Sequence, residues 1–241
     1  MKQKETLVNI QLNDLKNKIE LSDVVIDEMG NEHISTSIDT PMLQDAFKMS
    51  DAEKIVAIES HFKQIMEILG LDLKDDSLRG TPKRVAKMYV QEIFSGLNPA
   101  NKPAITLFDN KYAYKEILVE KNISFYSCCE HHFVPFSGKA HVAYINSGNV
   151  IGLSKLNRIV QYFAKRPQVQ ERLTMQIGKE LQRVLNTDDV AVLLDAKHLC
   201  VASRGVEDDT SSTVTAFYGG EFNNEEKKTE FLKYLNLETK F

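Results

Sequence analysis

Two short clusters carry the residue types that hold a borderline-soft metal: Ser127-Cys128-Cys129-Glu130-His131-His132 and, further along the chain, His198-Leu199-Cys200. Together they contain all three cysteines and three of the six histidines. Zinc takes thiolate and imidazole ligands, and a catalytic zinc keeps one coordination position free for water. Two cysteines and one histidine fill three positions and leave the fourth open. Both clusters hold histidines beyond that number, which suits proton transfer better than scaffolding. The chemistry indicated is hydrolysis by a zinc-activated water.

Spacing constrains the roles only in part. His198 and Cys200 are two apart on a segment, Val190 to about Ser203, that reads as a strand, so both side chains leave one face. If Cys200 binds the metal, His198 stands beside it. Cys129 and His132 are three apart, a spacing that a turn or a helical segment converges on one ion. Either Cys128 or Cys129 serves equally well on spacing alone. Two plainer readings compete: a closed zinc site that only holds the fold, and buried cysteines acting as small hydrophobes. The pairing of two clusters favours the open site. His33, His61 and His141 stand alone and read as surface or packed histidines.

A second group is cationic: Lys155, Arg158 and Arg204, with Lys139, Arg84 and Arg166 as outliers. Ser154-Lys155 opens a helix, whose free N–H groups and dipole favour anions. Arginine forks match phosphate oxygens, and a polyphosphate needs several such groups. No Gly-x-x-x-x-Gly-Lys-Ser/Thr loop is present, so a phosphate site here rests mainly on side chains. A solvated basic helix face competes with this reading. Gln170-Glu171 stands in the first turn of a further helix. A carboxylate there can accept two parallel hydrogen bonds of the kind guanine offers, although the helix dipole favours glutamate at that place anyway.

The elements that must position these groups follow from pattern. Ser50-x-x-Glu53 is a capping box opening a helix with Val56, Phe62, Ile65, Met66 and Leu69 at helical spacing and Gly70 as stop. Thr81-Pro82 starts a second helix, with Thr81 as cap and a stripe of Val85, Met88, Tyr89 and Phe94. Strands are expected at 117–119, 123–125 and 139–145, at Val190 to Ser203, and at Ser212 to Tyr218. Between them lie helices over Ser154–Phe163 and from Pro167 to about Val184, and Asn223 to Leu235 closes the chain with an amphipathic helix. This is an α+β order with an antiparallel sheet. The division is a poorly ordered arm over 1–49, a helical region over 50–98 and the main domain over 99–241. The 241 residues are 42% apolar and 27% charged, an ordinary globular balance. A net charge of −4 favours neither nucleic acid nor membrane as partner. Free cysteines and the lack of an apolar leader suggest a reducing, cytoplasmic setting.

Four motifs in fixed order resemble GTP cyclohydrolase I: Cys129-Glu130-His131-His132, Gly152-Leu153-Ser154-Lys155-Leu156-Asn157-Arg158, Gln168-Val169-Gln170-Glu171-Arg172-Leu173 and His198-x-Cys200-x-x-x-Arg204-Gly205. The resemblance spans roughly residues 50 to 235 and includes Thr81-Pro82-x-Arg84. It implies a tunnelling fold (T-fold), an antiparallel sheet with two helices on one face after a helical N-terminal region. It further implies a pentameric barrel stacked in pairs as a homodecamer. The resemblance assigns Zn2+ to Cys129, His132 and Cys200, and makes Cys128 a neighbour. It implies hydrolysis of GTP to 7,8-dihydroneopterin triphosphate and formate, the first step toward tetrahydrofolate or tetrahydrobiopterin. By the same resemblance His198 protonates the purine, His131 and Ser154 handle the ribose proton transfers, and Gln170 and Glu171 recognise guanine. Lys155, Arg158 and Arg204 hold the triphosphate, with Arg84 expected from a neighbouring subunit. The first 49 residues match nothing in this pattern. The alternatives are another T-fold enzyme acting on a pterin or deazapurine, and a non-catalytic zinc-stabilised assembly or regulatory protein. The latter has no use for His131, His198 or the cationic set.

Overall fold

The structure is a computed structural model and describes residues 37–146 and 148–238. Most of the expected N-terminal arm, residues 1–36, therefore lies outside the described residues. Helix α1 (Asp51–Ile68) begins as expected: the Ser50 side chain accepts from the Glu53 N–H, and the Glu53 carboxylate accepts from the Ser50 N–H at 2.7 Å. Its apolar residues do not form a buried stripe. Met66 is buried, but Val56 is 68%, Ile65 49% and Leu69 70% exposed. Helix α2 (Thr81–Met88) is capped by Gly80 rather than Thr81. The Thr81 hydroxyl instead accepts from Arg84 Nη2 at 2.8 Å. The helix then widens into a π-turn over Tyr89–Ile93 and a 3-10 turn over Ser95–Leu97. Gly96 meets the main domain so closely that a Cβ there would lie 2.0 Å from the Tyr162 carbonyl oxygen.

The main domain is a sheet of five strands. Its long members are β2 (Ile117–Cys129), β3 (Pro135–Ile145), β6 (Val190–His198) and β7 (Thr213–Tyr218), each antiparallel to the next in that order. The two-residue β5 (Pro167–Gln168) adds a parallel pairing to the end of β2. The expected strands 117–119 and 123–125 are one strand, whose pairing shifts between Glu120 and Ile123. Asn122 takes the left-handed conformation there, at φ 63°. A separate antiparallel pair, β1 (Leu107–Asp109) with β4 (Asn149–Ile151), was not foreseen; three residues are too few for a periodic signal.

Two helices, α3 (Leu153–Ala164) and α4 (Gln170–Leu185), cover one face of the sheet. Leu156, Ile159, Val160, Leu173, Ile177 and Leu181 pack there against Phe125, Val142, Val192 and Leu194. This is the expected T-fold arrangement. Helix α4 starts at Gln170, not Pro167, because Pro167 and Gln168 are taken by the strand pairing. A Cβ at Gly178 would fall 2.3 Å from the Phe217 ring, so that glycine lets α4 lie close to β7. Strand β6 also ends early. It stops at His198, and Leu199–Ala202 form a single helical turn, α5. On the opposite sheet face, α6 (Glu225–Leu235) buries Phe231 with Phe222 against Ile117, Ala143 and Ala191. That packing occupies the sheet end far from Ser127, Phe136 and His198, which face one another in register across three strands.

Candidate metal centre and active site

Cys129 closes β2, and the turn after it is short and tightly tied. The Cys129 N–H donates to the Val134 carbonyl at 2.9 Å, and the Phe133 N–H donates to the Cys129 carbonyl at 2.9 Å. Phe133 takes a left-handed conformation at φ 54° to make the reversal. The Glu130 N–H donates to the Gln168 carbonyl at 3.1 Å, so α4's approach segment is tied to the same turn. This turn turns His132 back toward Cys129, and α5 brings Cys200 to meet them. One ligand atom from each of Cys129, His132 and Cys200 lies within 4.8 Å of the others. Cys129 Sγ stands 3.8 Å from His132 Nδ1 and 3.9 Å from His131 Nδ1.

The donor set fits a metal ion. Burial and the neighbouring Cys129 thiol push the Cys200 thiol up, against the pull of the Arg204 guanidinium. The Cys200 thiol so placed resists ionisation, and a divalent cation beside it reverses that preference. Cys128 behaves differently. It is buried, its Sγ reaches only the Cys129 carbonyl at 4.0 Å, and burial pushes it up to about 11. The structure thus separates two cysteines that spacing left equivalent: Cys128 is a packed hydrophobe and Cys129 faces the donor set.

His198 stands at the end of β6 but does not share a strand face with Cys200, because the chain turns helical at Leu199. Its position is set by other contacts. The ring stacks on Phe136, with centroids 4.5 Å apart and planes 5° from parallel. His198 Nε2 lies 2.7 Å from Gln170 Oε1. Burial holds His198 below the ordinary imidazole range, and the Glu171 carboxylate opposes that shift. Glu171 is exposed and Gln170 is 1% exposed. The Gln170 amide nitrogen donates to Leu194 O, Thr213 O and Thr215 Oγ1. The Gln170 side chain, expected at guanine, is therefore spent within the protein.

The motif glutamate between the ligands has a role that spacing did not show. Glu130 forms a two-pronged ion pair with Arg172, whose side chain is 2% exposed; the longer prong, Arg172 Nη2 to Glu130 Oε1, is 3.2 Å. Their separation of 42 residues hides the pair from any local pattern. Of the cationic group, Arg204 stands near the donor set, where its guanidinium acts on the Cys200 thiol, but the others do not gather there. Lys155 donates to the Ala104 carbonyl at 2.8 Å, while Ser154 and Arg158 are exposed on α3. Arg158 borders a cleft of about 320 Å³ with Ser95, Asn101 and Lys165. Arg84 is exposed and hydrogen-bonds only locally, to Thr81 Oγ1 and the Ser77 carbonyl. Among the described residues no hydrogen bond or ion pair joins Ser154, Lys155, Arg158 or Arg84 to the metal donors.

Comparison with known proteins agrees with the site's chemistry. The family model for GTP cyclohydrolase I matches residues 58–236. The GTP cyclohydrolase 1 of Flavobacterium johnsoniae is 59% identical over 216 residues, covering 90% of this chain and 97% of that protein. The proteins of the same name from Aeromonas hydrophila and Vibrio cholerae are each 54% identical over 199 residues, or 82% of this chain and 90% and 91% of theirs.

Proposed function

The chain belongs to the GTP cyclohydrolase I family, and we propose that it turns GTP and water into 7,8-dihydroneopterin triphosphate and formate at the centre formed by Cys129, His132 and Cys200. The observation that carries this reading is the convergence of those three donor atoms within 4.8 Å, with His131 beside them and His198 at the end of β6, two residues before Cys200. A two-sulfur, one-nitrogen set suits zinc and leaves room for water. When bound, zinc supplies a Lewis acid that makes water nucleophilic at neutral pH.

The chain's own residues do the remainder. His198 gives a proton to N7 of the purine while water attacks C8, which lets the five-membered ring open. His131, 3.9 Å from Cys129 Sγ and with a partly exposed side chain, and Ser154 manage proton transfers on the ribose after formate leaves. Glu171, exposed at the start of α4, accepts from the guanine ring N–H and amino group. Lys155, Arg158 and Arg204 hold the triphosphate, and Arg84 reaches the same site from a neighbouring copy in a homodecamer. The enzyme works in the cytoplasm as the first step of tetrahydrofolate synthesis. No helix among the described residues is long and apolar enough to cross a membrane.

The test is direct. Zinc-loaded protein incubated with GTP is expected to release formate and a fluorescent pterin, and a chelator to stop both. Cys129→Ser is expected to lose bound zinc as well as turnover. A zinc-replete protein that leaves GTP intact would sink this reading.

A further inference from the structure

The Gln170 amide cannot turn over. Its nitrogen faces Leu194 O at 3.3 Å and Thr213 O at 2.8 Å, and backbone carbonyls only accept. The third partner, Thr215 Oγ1 at 3.1 Å, is committed in the same sense. The Thr174 hydroxyl gives its single proton to the Gln170 carbonyl at 2.8 Å. In the 2.6 Å contact between Thr174 and Thr215 the donor must therefore be Thr215, which leaves Thr215 to accept from Gln170. All three contacts demand the amide NH2 on that side, so Oε1 faces His198 Nε2 at 2.7 Å. A carbonyl-type oxygen buried to 1% needs a donor. His198 Nε2 must carry a proton, whether the ring is neutral or charged.

We propose that Gln170 is a positioning residue that keeps the proton on His198 Nε2, so that the proton exchanged with substrate passes through Nδ1. The stacked Phe136 ring fixes the plane of the imidazole, and Gln170 fixes which edge faces outward. The two constraints come from different elements, β3 and the start of α4, and both are buried. This inference rests on the reading of His198 as proton donor. It removes the Gln170 side chain from guanine recognition, leaving Glu171 for that contact.

Two measurements test it. In protein labelled with 13C and 15N histidine, the ring carbon and nitrogen shifts distinguish the two neutral tautomers, with His198 identified by difference from His198→Phe. The Nε2–H form is expected for wild-type His198, and the Nδ1–H form would overturn the proposal. In Gln170→Met, kcat is expected to fall about 10–100-fold, as for other groups that orient a functional histidine, with KM for GTP and zinc content unchanged. Thr215→Val leaves both carbonyl acceptors in place and is expected to keep kcat within about threefold. A raised KM with kcat retained in Gln170→Met would mean that the side chain touches guanine and would also overturn the proposal. Should Gln170→Met fail to fold, the wild-type spectrum decides alone. Should wild-type protein release no formate, the functional reading fails, while the spectrum still reads the tautomer.

Discussion

Glu130 and Arg172 decide how firmly the metal turn is held. Arg172 is 2% exposed, so its guanidinium has lost water on nearly every side, and the Glu130 carboxylate is one of the groups that replace it. Removing one member of a buried pair leaves the other charged and unsolvated, at a cost of about 3–5 kcal/mol. Arg172→Met is therefore expected to lower the unfolding free energy read from urea titration by up to that amount and to loosen zinc, since Glu130 lies between Cys129 and His131 in the tied turn. Pairing it with Glu130→Gln removes the stranded charge, so the double variant should recover part of the loss. If the single variant unfolds at the wild-type midpoint, the pair carries no such weight. The histidines differ in the same local way. His132 joins the donor set through the turn, whereas His198 is aimed by Phe136 and Gln170, residues from other elements.

At the scale of elements, α4 is the organiser: it brings Gln170 and Glu171 to the site and lies close to β7 through Gly178. Its far half is tied to the linker after the helical region. Glu180 accepts from Lys102 Nζ at 2.8 Å and from Arg183 through two nitrogens at 3.1 and 2.7 Å. Burial alone would raise the Glu180 carboxyl, but the hydrogen bonds from Arg183 and Lys102 win and hold it below the usual carboxylate range. A lowered folded-state value means stability that is full above the unfolded carboxylate value of about 4.3 and is lost as pH falls through the folded one. Glu180→Gln should thus lower Tm at pH 7, by about 2–4 °C for each kcal/mol lost in a chain of this size. The gap from wild type should narrow steadily as pH falls below the unfolded carboxylate value, as thermal scans would show, and a gap constant with pH would exclude this ion-pair origin. The capping box of α1, the helices on the sheet and the zinc-binding residue types were all legible from local pattern. The end of β6 was not, because Leu199-Cys200-Val201-Ala202 continues the same apolar texture while the backbone turns helical. Nor were the Glu130–Arg172 pair or the Gln170 network, whose members meet only through strand register and helix docking.

For the molecule as a whole, one chain supplies the metal donors but leaves much of the expected site scattered. Among the described residues β7 pairs only with β6, and β2 pairs beyond β3 only at Cys128 and Cys129. Among the described residues both sheet edges are otherwise unpaired, and edges of this kind join to neighbouring copies or close into a barrel. Helix α1 exposes Val56, Ile65, Ile68 and Leu69, apolar surface that a monomer seldom carries without a partner. For the homodecamer proposed above, the expected scattering mass in solution is ten times the 27.4 kDa chain. The stronger prediction concerns where catalysis resides. Arg84 is exposed and, among the described residues, hydrogen-bonds to Thr81 and Ser77; in the homodecamer proposed above, its contact with the triphosphate is made in another copy. Cys200→Ser and Arg84→Ala should each be inactive alone, the first for want of metal and the second of a phosphate contact. Co-expressed one to one and assembled at random, a site is whole only when its metal side comes from the arginine variant and its arginine from the cysteine variant. That combination arises in about a quarter of sites, so formate release near a quarter of wild type is expected from such mixed assemblies. Assemblies confirmed as mixed by mass but still inactive would mean that each chain uses its own Arg84, or none.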